Sequence, residues 1–245
     1  MNDTIRLLKN HRSIRKFKDV PVTDEQLSHI LDAAQMASTS SNMQAYSVIG
    51  VTDPDKKALL AEYSRNEFVR DSAIFLVWCA DLSRIQLACE MRGGNVNVPG
   101  TVEHLLVATV DTALAAQNAA IAAESMGLGI VYIGGIRNRP REVSDLLKLP
   151  RLMYPVFGMC VGVPDHQPGI KPRQPRAAVY HENEYSDEGV AEALAEYDET
   201  MRRYYLERTG GKRDATWTQE MEAKMRQPGR LHMRQFLHDR GFTLE

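Results

Sequence analysis

The sequence has 245 residues, of which 43% are hydrophobic, which is enough for one large domain or for a domain with an appendage. Its 30 Lys and Arg residues nearly balance 32 Asp and Glu residues, so the chain has no global basic field and we expect no non-specific binding to nucleic acid. The three cysteines are widely separated and include no CxxC pair, which argues against a metal site and fits a reducing cytoplasm.

The first half of the chain begins without the apolar core of a signal peptide, and Asn2 or Asp3 can cap a short first helix. Residues 23–26, Thr-Asp-Glu-Gln, have the form of a capping box, and apolar residues follow at helical spacing, so we expect a helix that ends near Ala37. The other elements that we expect here are a polar loop at 38–42, a strand at 47–53, a helix after Pro54 and a strand at 74–81 that is covered on both faces.

The second half contains the longest predicted helix. A loop at 95–100 leads into residues 102–126, which are apolar nearly all round and rich in alanine, as in a buried helix with close neighbours. The uncharged part of this helix, 112–123, is too short to span a bilayer, so we expect a soluble cytoplasmic protein with no membrane partner. A strand at 128–138, a helix at 140–147, a strand at 154–164, a proline-rich extended segment and polar helices beyond Ser186 complete the chain.

Strands that alternate with helices indicate an α/β chain, yet the usual signatures of a nucleotide site are missing. Gly127-x-Gly129 lacks the third glycine of a dinucleotide-binding turn, and no phosphate loop that ends in Gly-Lys-Ser or Gly-Lys-Thr occurs. The sequence therefore gives little support to a Rossmann domain.

A cluster of cations lies near the N-terminus, at residues 11–17, His-Arg-Ser-Ile-Arg-Lys-Phe. One interpretation is a solvated basic turn between two helices. The other is an anion site, because a second cationic run, Lys-Pro-Arg at 171–173, lies in an extended segment that is able to close over the same place. Arginine forks bind phosphate oxygens in pairs, and hydroxyls such as that of Ser13 bind polyol chains. A phosphate on a polyol chain is what a mononucleotide such as FMN presents.

Two further stretches admit a structural and a functional interpretation. The pair Gly134-Gly135 follows an apolar strand, where it either makes a tight turn or lets the backbone approach a flat ring closely. The polar loop at 38–42, with Gln44, is either a simple helix exit or a set of donors and acceptors for a flavin edge or ribityl chain.

These stretches together resemble the FMN-dependent nitroreductase family, within which they are most similar to the oxygen-insensitive NADPH nitroreductase and flavin reductase branch. Residues 122–129 and 181–183 extend the resemblance over nearly the whole chain. It implies an α+β fold with a mixed, mainly antiparallel sheet flanked by helices, in an intertwined homodimer with two FMN sites at its interface. It divides the chain into an FMN-binding core, 1–164, and an extended segment with a C-terminal helical excursion, 165–245, that packs on the core or the partner chain.

The resemblance also implies which residues hold FMN. Arg15 would approach the pyrimidine side of the flavin ring, and the polar loop would reach the cofactor across the dimer interface. Asn66 stands where the family usually has a glutamine, so we expect its ring contact to be weaker or bridged by water. The implied set is His11, Arg12, Ser13 and Arg15 in the turn, Thr39, Ser40 and Ser41 in the loop, Asn66, Tyr132, Ile133, Gly134 and Gly135 beside the ring, and Lys171 and Arg173 at the phosphate.

The extra phosphate of NADPH needs cations as well, and residues 207–214 contain three of them. On charge alone, a mobile surface loop is the better interpretation of this stretch. The resemblance instead places the NADPH-binding arginine at Arg208, with Lys212 and Arg213 as helpers, in a loop that would order on cofactor binding.

The implied function is that of an FMN-dependent oxidoreductase that uses NADPH to reduce nitroaromatics, quinones or flavins by ping-pong hydride transfer. Because the flavin carries the chemistry, we expect neither a catalytic acid, base or nucleophile nor a metal among the side chains. Two alternatives stay open. One is a reductase that supplies free reduced flavin or reduces metal oxyanions or disulfides, and the other is a non-catalytic flavin-binding protein.

Overall fold

The computed structural model describes residues 1–93, 98 and 100–243, so most of the loop predicted at 95–100 lies outside the described residues. The chain divides into two compact units, each of which is described by itself. The first unit consists of Met1–Pro168 and the chain from Arg230 onward, and the second consists of Gly169–Gly229.

The first unit is built on a four-stranded sheet in which every pair of neighbours is antiparallel. Strand β2 lies near its centre and is buried along its whole length, as its continuous apolar run predicts. The antiparallel pairing corrects the α/β interpretation drawn from alternation and confirms the α+β fold class. The strands are β1 (Tyr46–Val51), β2 (Ile74–Asp81), β3 (Gly129–Ile133) and β4 (Met153–Gly162), in the order β1-β2-β4-β3.

Local capping signals fix the first helices where the sequence predicts them. Asn2 accepts a hydrogen bond from the backbone of Ile5, and Thr23 forms a complete capping box with Gln26. Two short helices, α4 and α5, were not predicted. The helices of the first unit are α1 (Asp3–Lys9), α2 (Asp24–Gln35), α3 (Pro54–Ser64), α4 (Phe68–Asp71), α5 (Ser83–Met91), α6 (Val102–Ser125) and α7 (Pro140–Leu146), and its last is α10 (Met233–Asp239).

Helix α6 packs against the sheet and against α2 through a face of small side chains. Alanines at 115, 116, 119, 120 and 123 are buried there, together with Trp78 of β2, because a methyl side chain lets helix and sheet approach closely. By length and composition alone this helix is also apolar enough to cross a membrane, a property that the core helices of soluble proteins share.

The chain from Arg230 onward closes the first unit. Phe236 of α10 and Phe242 are fully buried beside β4. The guanidinium of Arg240 donates hydrogen bonds to the carbonyl oxygens of Leu149, at 2.6 Å, and Met153, at 3.1 Å. These bonds tie the end of the described chain to the strand that precedes the extended segment.

The second unit consists mainly of helices α8 (Val190–Thr209) and α9 (Trp217–Met225). Tyr197, Met201 and Tyr205 lie on one face of α8 and form a small core with Trp217. Thr216 caps α9 with a capping box, and Asp198 of α8 accepts a 2.9 Å hydrogen bond from the backbone of Thr218. These polar contacts join the two helices at one end.

Candidate functional site

The cationic turn at 11–17 lies along the exposed edge of β3. The backbone N–H of Ile14 donates a 2.9 Å hydrogen bond to the carbonyl of Ile130, and Phe17 forms an antiparallel bridge with Pro164. A Cβ atom on Gly129 would lie 2.6 Å from Cγ1 of Ile14, so this close approach requires glycine at 129. The turn is therefore fixed to the strand whose far end carries the predicted ring contacts.

The side chains of the turn differ in their partners. Nδ1 of His11 lies 2.6 Å from Oε1 of Glu124, a carboxylate that is only 14% exposed. Arg12 donates to the backbone and side chain of Asn10. Arg15 is exposed, and in the part of the chain that the structure describes its side chain has no hydrogen bond and no ion pair. One guanidinium of the turn is thus available to an incoming anion.

A cavity of about 570 Å³ lies beside the turn, between α1, the end of α6 and residues 164–167. Arg12 and Lys18 bring positive charge to its wall, and Glu124 brings negative charge. The ring atom Nδ1 of His166, which also lines the cavity, is buried and has no hydrogen-bond partner among the described residues. Of the residues predicted to hold FMN, Arg12 is the one that reaches this cavity.

The end of β3 lies against the turn that follows α3. A Cβ atom on Gly135 would lie 2.3 Å from the carbonyl oxygen of Ser64 and 2.7 Å from Nδ2 of Asn66. Nδ2 of Asn66 donates a 2.6 Å hydrogen bond to the same carbonyl. The structure therefore brings Asn66 to the predicted strand end, with its amide nitrogen engaged by its own turn.

Tyr132, the first residue of the predicted ring-contact segment, is anchored from the sheet to α6. Its hydroxyl donates a 2.9 Å hydrogen bond to the carbonyl of Ala116, and burial, followed by the charge of Glu124, raises its pKa. Ile133 is buried in the core. The strand ends there, and residues 134–138 form a 3₁₀ turn where the sequence predicts a break at Gly134-Gly135.

The polar loop is hydrogen-bonded to a buried residue of α6 that was not predicted from the sequence. Asp111 of α6 is 1% exposed and accepts hydrogen bonds from the backbone of Ser40, at 3.0 Å, and of Ala45, at 3.1 Å. Ser41 adopts a left-handed conformation with φ 47°. An aspartate within an otherwise apolar helix is the signal that would have indicated this anchor. Within the described chain, the hydroxyls of the three predicted residues, Thr39, Ser40 and Ser41, form no hydrogen bond.

The second unit carries the remaining predicted residues. Nζ of Lys171 lies 5.8 Å from the centre of the Tyr205 ring, and Arg173 donates a 2.7 Å hydrogen bond to the carbonyl of Lys171. Arg208 donates a 2.9 Å hydrogen bond to the hydroxyl of Tyr204. The other two predicted NADPH contacts are Lys212, which is exposed, and Arg213, which pairs with Glu220 and lies 4.1 Å above the Tyr205 ring.

Hydrogen bonds hold the segment 207–214 in place. Helix α8 ends at two left-handed glycines, Gly210 and Gly211, which reverse the chain. Arg202 then donates two hydrogen bonds, at 2.6 and 2.8 Å, to the carboxylate of Asp214. The hydrogen bond and charge of this guanidinium lower the pKa of Asp214.

Comparison with known proteins places these features in a family. The Nitroreductase family matches residues 8–163, and the Nitroreductase family, C-terminal domain, matches residues 171–245. The chain belongs to the nitroreductase family. It is 45% identical to the "FMN reductase (NADPH)" of Bacillus subtilis (strain 168) and 43% identical to the "Oxygen-insensitive NADPH nitroreductase" of Salmonella typhimurium, over 99% of each chain.

Solved structures of related proteins share this fold. The NfrA1 nitroreductase from B. subtilis superposes with a TM-score of 0.93 at 43% identity, over 98% of this chain and 99% of that one. The NADPH:FMN oxidoreductase from Vibrio harveyi complexed with NAD⁺ superposes with a TM-score of 0.88 at 41% identity, over 98% of both chains. The family and the fold class predicted from the sequence are therefore confirmed.

Proposed function

We propose that this protein is an FMN-dependent oxidoreductase that uses NADPH to reduce nitroaromatics, quinones or flavins. The observation that carries this proposal is similarity along the whole chain, at 42–45% identity, to an FMN reductase (NADPH) and an NADPH-flavin oxidoreductase. The family matches at 8–163 and 171–245 also support the proposed division into an FMN-binding core, 1–164, and a C-terminal excursion, 165–245.

The donor set of the first unit fits the polar part of FMN. A phosphate dianion requires cations, and the turn offers the guanidinium of Arg12, while Arg15, which has no partner in the described chain, is left for the pyrimidine side of the ring. A ribityl chain requires neutral donors and acceptors, and the hydroxyl of Ser13 is free of hydrogen bonds to described residues. In our proposal His11, Arg12, Ser13 and Arg15 hold the cofactor, and the family resemblance adds Lys171 and Arg173 as proposed phosphate contacts.

The end of β3 fits the flat part of the cofactor. A ring needs a surface without projecting side chains, and Gly134 and Gly135 follow the buried Ile133 there. Asn66 lies against Gly135, with its amide nitrogen bound to the carbonyl of Ser64. We therefore include Tyr132, Ile133, Gly134, Gly135 and Asn66 among the proposed ring contacts.

FMN, when bound, supplies the redox chemistry by taking up and passing on hydride. The protein contributes position and charge. A guanidinium in the place proposed for Arg15 stabilises negative charge on the pyrimidine side of the ring, where it accumulates on reduction. The backbone of the Gly134-Gly135 turn would contact one side of the ring. No side chain needs to act as an acid, base or nucleophile in this scheme.

The second unit supplies the proposed recognition of NADPH. Arg208, Lys212 and Arg213 lie within six residues of one another, and a phosphate carries enough charge to engage several of them. NADH lacks that phosphate, so Arg208→Ala should raise the KM for NADPH much more than the KM for NADH. Equal changes in both constants would contradict this role.

An exposed apolar stripe on α6 supports a homodimer. Val102, Leu106, Val110 and Leu114 recur every four residues and are 38–55% exposed, although they belong to a helix whose other face is buried in the core. A second copy of the chain that covers the stripe would remove this apolar surface from water. The proposal places Thr39, Ser40 and Ser41, on the loop held by α6, at the FMN of the partner chain. It also places the dimer in the cytoplasm, where its free cysteines stay reduced.

A second candidate acceptor class is supported by the name of another relative. The chain is 42% identical to the "CR(VI) reductase" of Pseudomonas sp. (strain G-1), over 97% of this chain and 98% of the relative. Metal oxyanions such as chromate are therefore a second acceptor class beside flat organic acceptors. Steady-state rates with nitrofurazone, a quinone, FMN and chromate rank these classes.

The visible spectrum of the purified protein tests the proposal. We expect a yellow protein with a flavin absorption band that NADPH bleaches without air, and dithionite serves as the control for complete reduction. A protein that dithionite bleaches and NADPH does not would be a flavin carrier rather than an enzyme. A colourless protein that takes up no added FMN would overturn the proposal. A flavin-loaded monomer in sedimentation would contradict the proposed homodimer.

A further inference from the structure

Two consecutive tyrosines near the end of α8 each hold one arginine of the 207–214 segment. Tyr204 accepts a hydrogen bond from Arg208, whose guanidinium carbon lies 5.8 Å from the centre of the Tyr204 ring. Tyr205 carries the guanidinium of Arg213 at 4.1 Å from its ring centre, a stacking distance. Each cation therefore lies against an aromatic ring of α8: Arg208 from the last turn of the same helix, and Arg213 from the chain that follows it.

Tyr205 is the more firmly fixed of the two rings. It is 4% exposed and packs in the small core of the second unit. Its hydroxyl donates a 3.0 Å hydrogen bond to Oε2 of Glu220, while Oε1 of the same carboxylate pairs with Arg213. Glu220 thus links the hydroxyl of the tyrosine to the arginine that lies over the ring.

The arginine held in this way is still open to a ligand. The side chain of Arg213 is 51% exposed, and a guanidinium has five N–H donors, of which Glu220 engages those on one nitrogen. Cζ of Arg213 lies over the ring, and Glu220 engages one terminal nitrogen, which leaves Nε and the other terminal nitrogen to pair with phosphate oxygens. Lys171 lies 5.8 Å from the centre of the same ring, so Tyr205 also borders a cation of the proposed FMN set.

We propose that Tyr205 is a positioning residue for the recognition of the 2′-phosphate of NADPH, because its ring and its link through Glu220 hold the guanidinium of Arg213 ready for that phosphate. This inference rests on the proposed function, in which Arg213 helps to bind NADPH. A free arginine side chain loses rotamer freedom when it binds a ligand, and a side chain already held on a ring loses less. NADH has no 2′-phosphate, so the contribution of Tyr205 should be specific for NADPH.

The test compares coenzymes in the FMN-loaded enzyme with a saturating acceptor. Tyr205→Met removes the ring and keeps a flexible apolar side chain in the core, whereas Tyr205→Phe keeps the ring faces and removes only the hydroxyl. We expect Tyr205→Met to raise the KM for NADPH roughly two- to fivefold, as the loss of an exposed cation–π contact implies, with the KM for NADH and kcat unchanged. Tyr205→Phe should retain most of the preference for NADPH.

Two further variants make the test independent of how well the core tolerates methionine. Arg213→Lys keeps the charge at an exposed position but cannot stack a planar group on the ring. It should therefore raise the KM for NADPH as Tyr205→Met does. Tyr180 also stacks with an arginine, Arg176, at 4.7 Å, and it belongs to no proposed site. Tyr180→Met removes a ring that also carries an arginine, at a position that is 53% exposed, and as a control it should leave both KM values unchanged.

A double-mutant cycle and a binding measurement complete the experiment. If Tyr205 acts through Arg213, Tyr205→Met should have no further effect on NADPH in an Arg213→Ala background. Calorimetric affinity for NADP⁺ in the oxidised enzyme should fall by the same factor as KM rises. The inference would be overturned if Tyr205→Met raised the KM for NADPH and the KM for NADH equally, or if its effect and that of Arg213→Ala were additive. An Arg213→Lys variant with the wild-type KM for NADPH would overturn it too. The proposed function would survive that result, because bleaching of the wild-type flavin by NADPH tests it separately.

Discussion

Nδ1 of His11 lies 2.6 Å from Oε1 of Glu124, which joins the cationic turn to the last turn of helix α6 across 113 residues of sequence. The carboxylate is largely buried, so water competes little for its contact with the imidazole. One ring nitrogen of His11 is thereby fixed toward the protein, and Nε2 is left for a ligand. The residue that orients the histidine is thus in the core helix rather than in the turn.

Glu124→Ala should lower the affinity of the protein for FMN. Without the carboxylate, the His11 ring turns freely, and the lost orientation should weaken FMN binding by roughly ten- to hundredfold, since a hydrogen bond to a charged group contributes about 1.5–3 kcal/mol. The release of flavin fluorescence on dilution measures this affinity. Ser125→Ala, which removes an exposed hydroxyl from the next residue, is the control, and equal retention of FMN by both variants would refute the role of Glu124.

Arg15→Ala should release FMN or lower its reduction potential. The guanidinium has no partner in the described chain, so its charge is available to the anionic reduced flavin, and its loss destabilises the reduced form more than the oxidised form. Flavin content and a spectroelectrochemical titration measure the two effects. Lys16→Ala removes an adjacent exposed charge of the same turn, so a similar change in both variants would indicate a general field rather than a specific contact.

Asp111→Ala should destabilise the protein through the polar loop. The substitution leaves two backbone N–H groups, those of Ser40 and Ala45, without their acceptor, and each unsatisfied buried donor costs about 1–3 kcal/mol. We expect urea denaturation to show a loss of about 2–6 kcal/mol in the free energy of unfolding. Asp32→Ala, at an exposed aspartate of α2, should change this free energy by less than about 0.5 kcal/mol.

Gly135→Ala and Gly134→Ala form a matched pair at the end of β3. A Cβ atom at 135 meets the backbone oxygen of Ser64 at 2.3 Å, whereas one at 134 meets only the end of the Arg137 side chain, at 3.3 Å. We expect Gly135→Ala to lower the free energy of unfolding by about 1–3 kcal/mol and to weaken FMN binding, and Gly134→Ala to cost less than about 1 kcal/mol. Thermal or urea unfolding of both variants measures how much the close approach of Gly135 to Ser64 contributes to the free energy of unfolding.

The three cysteines should differ sharply in reactivity. Burial raises the pKa of Cys160 to about 12 and raises the pKa of Cys79 as well, so at pH 8 both remain thiols, whereas thiolate is the reactive form. Cys89 is partly exposed. Mass spectrometry after iodoacetamide treatment should find Cys89 modified in the native protein and all three modified in denaturant. Rapid native labelling of Cys79 or Cys160 would contradict their burial.

The features that the sequence predicted are those set by neighbours along the chain. The Thr23 capping box spans three residues, and the apolar run of β2 and the alanine-rich pattern of α6 are legible within a single element. The short helices α4 and α5 were missed because neither has a side-chain cap, so their local signal is weak.

The sequence by itself thus determined the elements, the cationic turn, the glycine pair and the resemblance to a family, because these are encoded in residues a few positions apart. Only the tertiary structure decided that all four strands pair antiparallel, since an alternation of strands and helices is compatible with either direction. It alone also revealed that Glu124 orients His11 and that Asp111 holds the polar loop. Those partners are 113 and 71 residues apart, and a side chain meets such a partner only after the chain between them has folded into a core.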